Sequence, residues 1–185
     1  MGNTIGRAAF HTLLKIGSAS YKIFTVPKMI KETKKLSGIA NMNEYSLASL
    51  QTLFTQQGVA AAPTSTQVQN YHSAVQELVN CLNQFSGANE KTLTDALSKG
   101  AMGRDNDIPG AHLTTIRGIV TRYLGSTAAS VANDFQTRIE RPIEQFVQPL
   151  LSNVSPSVIG AIKMPKQLKS MVYVSAFATH IFMLL

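Results

Sequence analysis

The sequence predicts an all-α protein with a basic N-terminal helical arm, a multi-helix body and an apolar C-terminal segment. Apolar residues recur at spacings of three and four through most of the 185 residues, which is the helical period. Glycine and proline punctuate these periodic stretches, and no stretch shows the alternation typical of a strand. We place the arm at residues 1–40, the body at 41–165 and the apolar segment at 166–185.

The arm begins with a predicted amphipathic helix over residues 3–24. Its polar stripe follows steps of three and four residues and is mainly basic, as in Arg7, His11, Lys15, Ser18 and Lys22. The stripe on the other side is apolar. This segment therefore predicts a cationic helix with one face available for a polyanion.

A second basic helix is predicted to begin at Pro27 and to run to about Leu36. Proline suits the first position of a helix and disfavours helical backbone in the residue before it, so Val26 marks a bend. Ser37 and Gly38 end the helix. Four lysines lie along it, of which three share one face: Lys28, Lys31 and Lys35, with Lys34 beside them.

The body is predicted to begin with a helix capped by Asn43 or Ser46 and ended by Gly58. Residues 58–65 read as a connector. The clearest helix then opens at Thr66, with an apolar stripe at steps of three and four: Val68, Tyr71, Val75, Leu78, Leu82 and Phe85. A stripe of this length indicates packing against another helix.

The rest of the body alternates helices and breaks. A short helix is predicted over 90–99, followed by a loop over 100–110 and a long helix from Ala111. Farther along, Pro142 either kinks the helix or starts a new one. Ser155-Pro156 pairs a capping residue with a first-turn proline, which predicts one more short helix.

The last 15 residues, Met171–Leu185, contain no charged side chain. A membrane-spanning helix needs roughly 20 apolar residues, so this run is short for that role. Its lack of an amphipathic period predicts burial on all sides. The sequence leaves three environments open: a partner subunit, the protein's own core, or lipid.

Catalytic and metal-binding patterns are absent from the sequence. The single cysteine, Cys81, lies in an apolar helical pattern, which predicts a buried and inert thiol. The four histidines are dispersed, with none at ligand spacing from a second ligand: His11, His72, His112 and His180. We therefore predict a protein that is not an enzyme and has no cofactor.

Two acidic pairs have simpler interpretations than chemistry. Asp105 and Asp107 stand in a glycine-flanked loop without the other ligands of a calcium site, so turn formation is favoured. Glu140 and Glu144 lie one helical turn apart among arginines, which predicts ion pairing on the surface.

The charge is concentrated at the two ends of the chain. Residues 1–40 hold seven basic residues and one acidic residue, residues 41–145 hold seven and nine, and residues 146–185 hold three and none. A basic arm of this kind is typical of proteins that bind polyanions. The arm lacks the aromatic platforms of single-strand binders, so duplex backbone contact is favoured. The candidate contacts are Arg7, Lys15, Lys22, Lys28, Lys31, Lys34 and Lys35.

These features give the chain a resemblance to the α-helical major coat proteins of filamentous, DNA-containing archaeal viruses. The resemblance rests on the arm around Arg7, Lys15, Lys22 and Pro27–Lys35, on the helical body and on the composition. It implies a structural coat protein of the virion that forms a helical nucleocapsid and wraps duplex DNA. The implied partners are the nucleic acid, further copies or a related coat subunit, and in some cases a lipid envelope.

A second hypothesis is a membrane-active or matrix-like viral protein. A cationic amphipathic helix at one end and an apolar run at the other both suit a bilayer, and Met1-Gly2 invites acylation although Gly6 stands where that motif prefers Ser or Thr. Against it, the chain has no tryptophan to anchor it at a membrane interface. A third hypothesis is a helical scaffold whose lysines only keep it soluble.

Overall fold

The computed structural model describes residues 25–152 and 164–185. Helices account for 76% of these residues, and no strand occurs among them. The predicted all-α class is therefore confirmed for the described parts of the chain. The helices predicted over residues 3–24 and after Ser155-Pro156 lie outside the described residues.

The described residues contain eight α-helices. Their bounds are α1 Val26–Lys34, α2 Leu47–Gln56, α3 Ser65–Leu82, α4 Ala88–Ala101, α5 Gly110–Leu124, α6 Val131–Phe135, α7 Arg141–Leu151 and α8 Lys166–Met183. Short 3₁₀ turns occur at Ile39–Asn41, Asn43–Tyr45 and Asp105–Asp107, and a π-helical turn, Gln136–Glu140, joins α6 to α7.

Local sequence explains most of the helix starts and stops. The Ser46 side chain accepts a hydrogen bond from the Ser49 amide and so caps α2, which selects one of the two predicted caps. Thr64 and Gln67 form a reciprocal capping box, so α3 starts slightly before the predicted Thr66. Beyond α1, Gly38 has a φ of 74°, a backbone conformation that glycine tolerates best.

The apolar stripe of α3 is buried along its whole length, as predicted: Val68, Tyr71, Val75, Leu78, Leu82 and Phe85. One side of this stripe packs on α7. There the Tyr71 ring stacks on Phe146 with 4.3 Å between centroids, and Phe54 meets the same ring edge-on at 5.3 Å. These aromatic contacts join α2, α3 and α7 into one core.

The chain remains helical through the region of Pro142. The π-helical turn Gln136–Glu140 leads directly into α7, and Pro142 is the second residue of α7. Of the two predicted outcomes, the start of a helix at Pro142 is confirmed to within one residue.

Helix α8 runs through the centre of the described structure. Met171, Val174 and Phe177 are each 0% exposed, and α8 contacts α1, α4, α7 and the π-helical turn. Of the three predicted environments, the protein's own core is the one that surrounds this helix. Within the described residues, no helix combines the length and apolarity needed to cross a bilayer.

The predicted surface position of Glu140 and Glu144 is wrong. Each carboxylate residue is only 1% exposed, because the π-helical turn and α7 both lie against α3 and α8. Arg138 instead reaches outward, where it donates to Glu77 at 3.0 Å and to the Leu124 carbonyl at 3.0 Å.

Candidate nucleic-acid interface

Helix α1 has one buried side and one basic side. Val26, Met29, Ile30 and Thr33 are buried, mainly against α8. The lysines that alternate with these buried residues are exposed, and Lys28 lies at the edge of the contact with α8. The second half of the predicted arm is therefore a helix that packs on the body and presents its charges to solvent.

The structure brings together four of the seven predicted contact residues. Lys28, Lys31, Lys34 and Lys35 are all exposed on or just beyond α1, and we call this set the lysine face. The other three, Arg7, Lys15 and Lys22, lie outside the described residues.

Two lysines of this face have carboxylate partners. Lys34 Nζ lies 3.2 Å from Glu90 Oε2 on α4, and Lys35 Nζ lies 3.2 Å from Glu32 Oε1 on the same turn. Both lysine side chains are about half exposed, at 42% and 53%. Exposed pairs contribute little to stability, typically about 0–1 kcal/mol, so another anion can replace the carboxylate at small cost.

Lys28 is positioned by an aromatic ring. Its Nζ lies 5.5 Å from the centroid of the Tyr173 ring on α8, within the range of a cation–π contact. Tyr173 is 1% exposed, and desolvation raises the pKa of its hydroxyl to about 12. The ring therefore remains neutral and holds the ammonium at the edge of the α1–α8 contact.

A shallow concavity of about 500 Å³ lies on the lysine face. Its wall combines the apolar side chains of Pro27 and Ile30 with charged ones: Lys31, Lys34, Lys35 and Glu90. Three ammonium groups against one carboxylate leave this depression positively charged. The volume and charge of this concavity suit a polyatomic anion such as a phosphate group.

Glu32 is the acidic residue within the lysine-bearing helix. Partial burial raises its pKa, but a hydrogen bond from Ser170 and the Lys35 ammonium outweigh that effect, so the pKa of Glu32 lies below its usual value. Ser170 Oγ donates to Glu32 Oε2 at 2.9 Å. Glu32 is thus ionised at neutral pH and fixes α1 to α8.

Sequence reasoning missed the contributions of Glu90 and Ser170. Glu90 lies 56 positions from Lys34, and no local pattern links the two. Ser170 belongs to a pattern that is visible in the sequence. The polar residues at the start of α8 follow the i, i+3, i+4, i+7 spacing of one helix face: Lys166, Lys169, Ser170 and Tyr173. The apolar run therefore begins with a polar stripe.

The remaining polar groups have structural roles. Cys81 is buried as predicted, and desolvation raises the pKa of its thiol to about 12. His72 Nε2 lies 2.6 Å from the Tyr45 carbonyl, and His180 Nδ1 lies 2.7 Å from the Ala176 carbonyl. Asp107 accepts from Arg104 at 2.8 Å in its turn. No group of three metal-ligand side chains occurs in the described ranges.

A larger groove of about 710 Å³ lies between the connector after α2, helix α3 and helix α7. Its wall is mostly apolar and includes Phe54, Pro63, Phe146 and Pro149. Its one carboxylate, Glu77, is already paired with Arg138.

Comparison with models of known protein families, with curated proteins and with solved structures finds no match to this chain.

Proposed function

We propose that the protein is a structural virion coat subunit that polymerises and holds double-stranded nucleic acid through its basic N-terminal region. The observation that supports this proposal best is the lysine face, where Lys28, Lys31, Lys34 and Lys35 lie together and exposed on a helix anchored to the core. A rigid row of ammonium groups recognises phosphate as charge, without reading bases.

The dimensions of the lysine face fit a nucleic-acid backbone. Lys28 and Lys35 are seven residues apart, which corresponds to about 10 Å along a helix. One strand of B-DNA presents a phosphate every 3.4 Å or so of axis, so this length faces roughly three phosphates. The other three predicted contact residues, Arg7, Lys15 and Lys22, extend the same basic region toward the N-terminus in sequence.

The composition supports repeated contact with other copies of the chain. Charged residues make up 15% of the sequence, against about 25% in ordinary domains. A surface rich in Ser, Thr, Asn and Gln binds neighbouring protein by neutral hydrogen bonds, with little charge to desolvate. Polymerisation along a duplex requires such lateral contacts in addition to the lysine face.

One of the two features that favoured the membrane-active hypothesis, the apolar C-terminal run, is buried in the described structure. The apolar run that suited a bilayer is enclosed by protein at Met171, Val174 and Phe177. The basic region then binds either phosphates of nucleic acid or phosphates of lipid, and experiment separates these two ligands.

Binding of the purified protein to two duplex DNAs of unrelated sequence tests this proposal, with anionic vesicles as the competing ligand. We expect similar affinity for both duplexes, weaker binding to single strands of the same length, and protection of the bound duplex from nuclease. Co-sedimentation with vesicles without duplex binding would contradict the proposal, as would a protein that binds neither.

A further inference from the structure

We propose that the phosphate-binding surface spans two helices and includes Lys166 and Lys169 of α8 beside Lys28 and Lys35. We call these four residues the two-helix surface. This inference rests on the proposed function, and it assigns nucleic-acid contacts to the C-terminal part of the chain.

The first step is the arrangement of residues on α8. Lys166, Lys169, Ser170 and Tyr173 follow the spacing of a single helix face. Two of them define which way that face points, because Ser170 donates to Glu32 and Tyr173 lies beneath Lys28. The face that carries Lys166 and Lys169 is thus the face that meets α1.

The second step is the antiparallel register of α1 and α8. Along α1 the contacts run from Lys28 to Glu32, while along α8 they run backward from Tyr173 to Ser170. Lys35 follows Glu32 by three residues at the end of α1, and Lys166 precedes Ser170 by four residues on α8. At a rise of about 1.5 Å per residue these two steps have similar lengths, so Lys35 and Lys166 lie at a similar height along the two helices. Lys166 therefore lies toward the end of α1 that carries Lys35, on the side of α8 that contacts α1.

The third step is the charge of this region. Lys28, Lys35 and Lys166 are exposed and Lys169 is half-buried. Glu32 lies on α1 between Lys28 and Lys35. The backbone carbonyl of Glu44 accepts a hydrogen bond from Gln167 at 3.2 Å, so Glu44 lies next to the first turn of α8. Four ammonium groups against two carboxylates leave a net positive charge.

The fourth step is the effect of Glu32 on the lysines. Its carboxylate is occupied by Ser170 at 2.9 Å and by Lys35 at 3.2 Å, and its side chain is only 14% exposed. Glu32 therefore acts as an internal anchor beneath the lysines, whereas the exposed ammonium groups are left for an external anion. Phosphates of a duplex backbone are anions with suitable spacing and repeat.

The salt dependence of duplex DNA binding tests the two-helix surface. Each neutralised phosphate contributes about 0.9 to the slope of log affinity against log salt. In the full chain, Lys166→Gln with Lys169→Gln should lower that slope by about 1.8, equally on any sequence. Glutamine preserves helix propensity, and circular dichroism verifies folding.

The matched control is Arg104→Gln with Arg122→Gln, which removes the same charge from the α4–α5 connection and from α5. It should leave the slope unchanged. If the double lysine variant fails to fold, the single exposed change Lys166→Gln should lower the slope by about 0.9, and Lys166→Arg should retain it.

The outcomes separate this inference from the proposed function. An unchanged slope in the α8 variants, with a reduced slope in Lys28→Gln, would overturn the two-helix surface and leave the proposed function standing. Absence of duplex binding by the unmodified protein would overturn both.

Discussion

The Ser170 hydroxyl donates a hydrogen bond of 2.9 Å to Glu32 Oε2, across 138 positions of sequence. This contact joins α1, which carries the lysine face, to α8, which forms the middle of the core. The basic helix α1 and the lysine-bearing start of α8 therefore belong to two helices that are in contact. A duplex bound at one of these helices would also lie near the other.

The Ser170–Glu32 bond predicts a pH-dependent contribution to stability. The pKa of Glu32 is lowered in the folded protein, so its contribution is present above the unfolded value, near 4.5, and is lost as the pH falls through the folded value. Ser170→Ala should therefore lower the free energy of unfolding at pH 7 and have a smaller effect at pH 3. Urea denaturation at the two pH values measures this difference.

The control for that experiment is Ser152→Ala. Ser152 donates to the Pro149 carbonyl at 2.9 Å, with no titratable partner in that bond, so its effect should be the same at both pH values. An equal loss at pH 3 and pH 7 for Ser170→Ala would contradict the role assigned to Glu32.

Truncation within α8 should destabilise the whole protein. Phe177 is 0% exposed, and replacing a buried Phe with Ala costs about 3–5 kcal/mol through lost burial and the cavity that remains. Met183 on the same helix is 52% exposed, so Met183→Ala should change the free energy of unfolding by less than about 0.5 kcal/mol. Equal effects of the two variants in denaturant unfolding would show that α8 is not a core helix.

Cys81 should resist thiol reagents while the protein is folded. It is 0% exposed, and burial raises the pKa of its thiol to about 12, so both access and thiolate formation are suppressed. Absorbance with a chromogenic disulfide reagent should show no reaction at pH 8 until denaturant is added, and then one thiol per chain. Rapid reaction of the native protein would contradict the burial of α3.

Removing the Glu90 carboxylate should strengthen duplex binding. Glu90 pairs with Lys34 at 3.2 Å in the concavity of the lysine face, so Glu90→Gln frees one ammonium for phosphate. The affinity for duplex DNA should rise, because phosphate no longer has to displace a carboxylate from Lys34, while stability changes by less than about 1 kcal/mol. Asp107→Asn, which breaks the exposed pair with Arg104, is the control and should leave binding unchanged. Weaker binding by Glu90→Gln would contradict the account of Lys34.

Local signals predicted the helices well because their causes are local. The stripe from Val68 to Phe85 and the stops at Gly38 and Gly58 depend on spacing and backbone freedom within a few residues. The prediction at Glu140 and Glu144 was wrong for the opposite reason. The spacing of acidic residues among arginines is the same in the sequence of an exposed helix and of a buried one. Glu140 and Glu144 are buried by α3 and α8, which are distant from them in sequence.

The lysine face was predictable only as a set of charges. The spacing of Lys28, Lys31 and Lys35 indicates a common face, and the structure places them together. The partners that position them come from elsewhere in the chain, as Glu90 and Tyr173 do. Contacts between residues that are far apart in sequence produce no periodic pattern in a single sequence.

We expect the lysine face to bind the phosphates of a duplex. The most direct test is the salt dependence of duplex DNA binding by Lys28→Gln with Lys31→Gln, compared with the unmodified protein. Two lost phosphate contacts should reduce the slope of log affinity against log salt by about 1.8 on any duplex sequence. Tight duplex binding with an unchanged slope would contradict the claim.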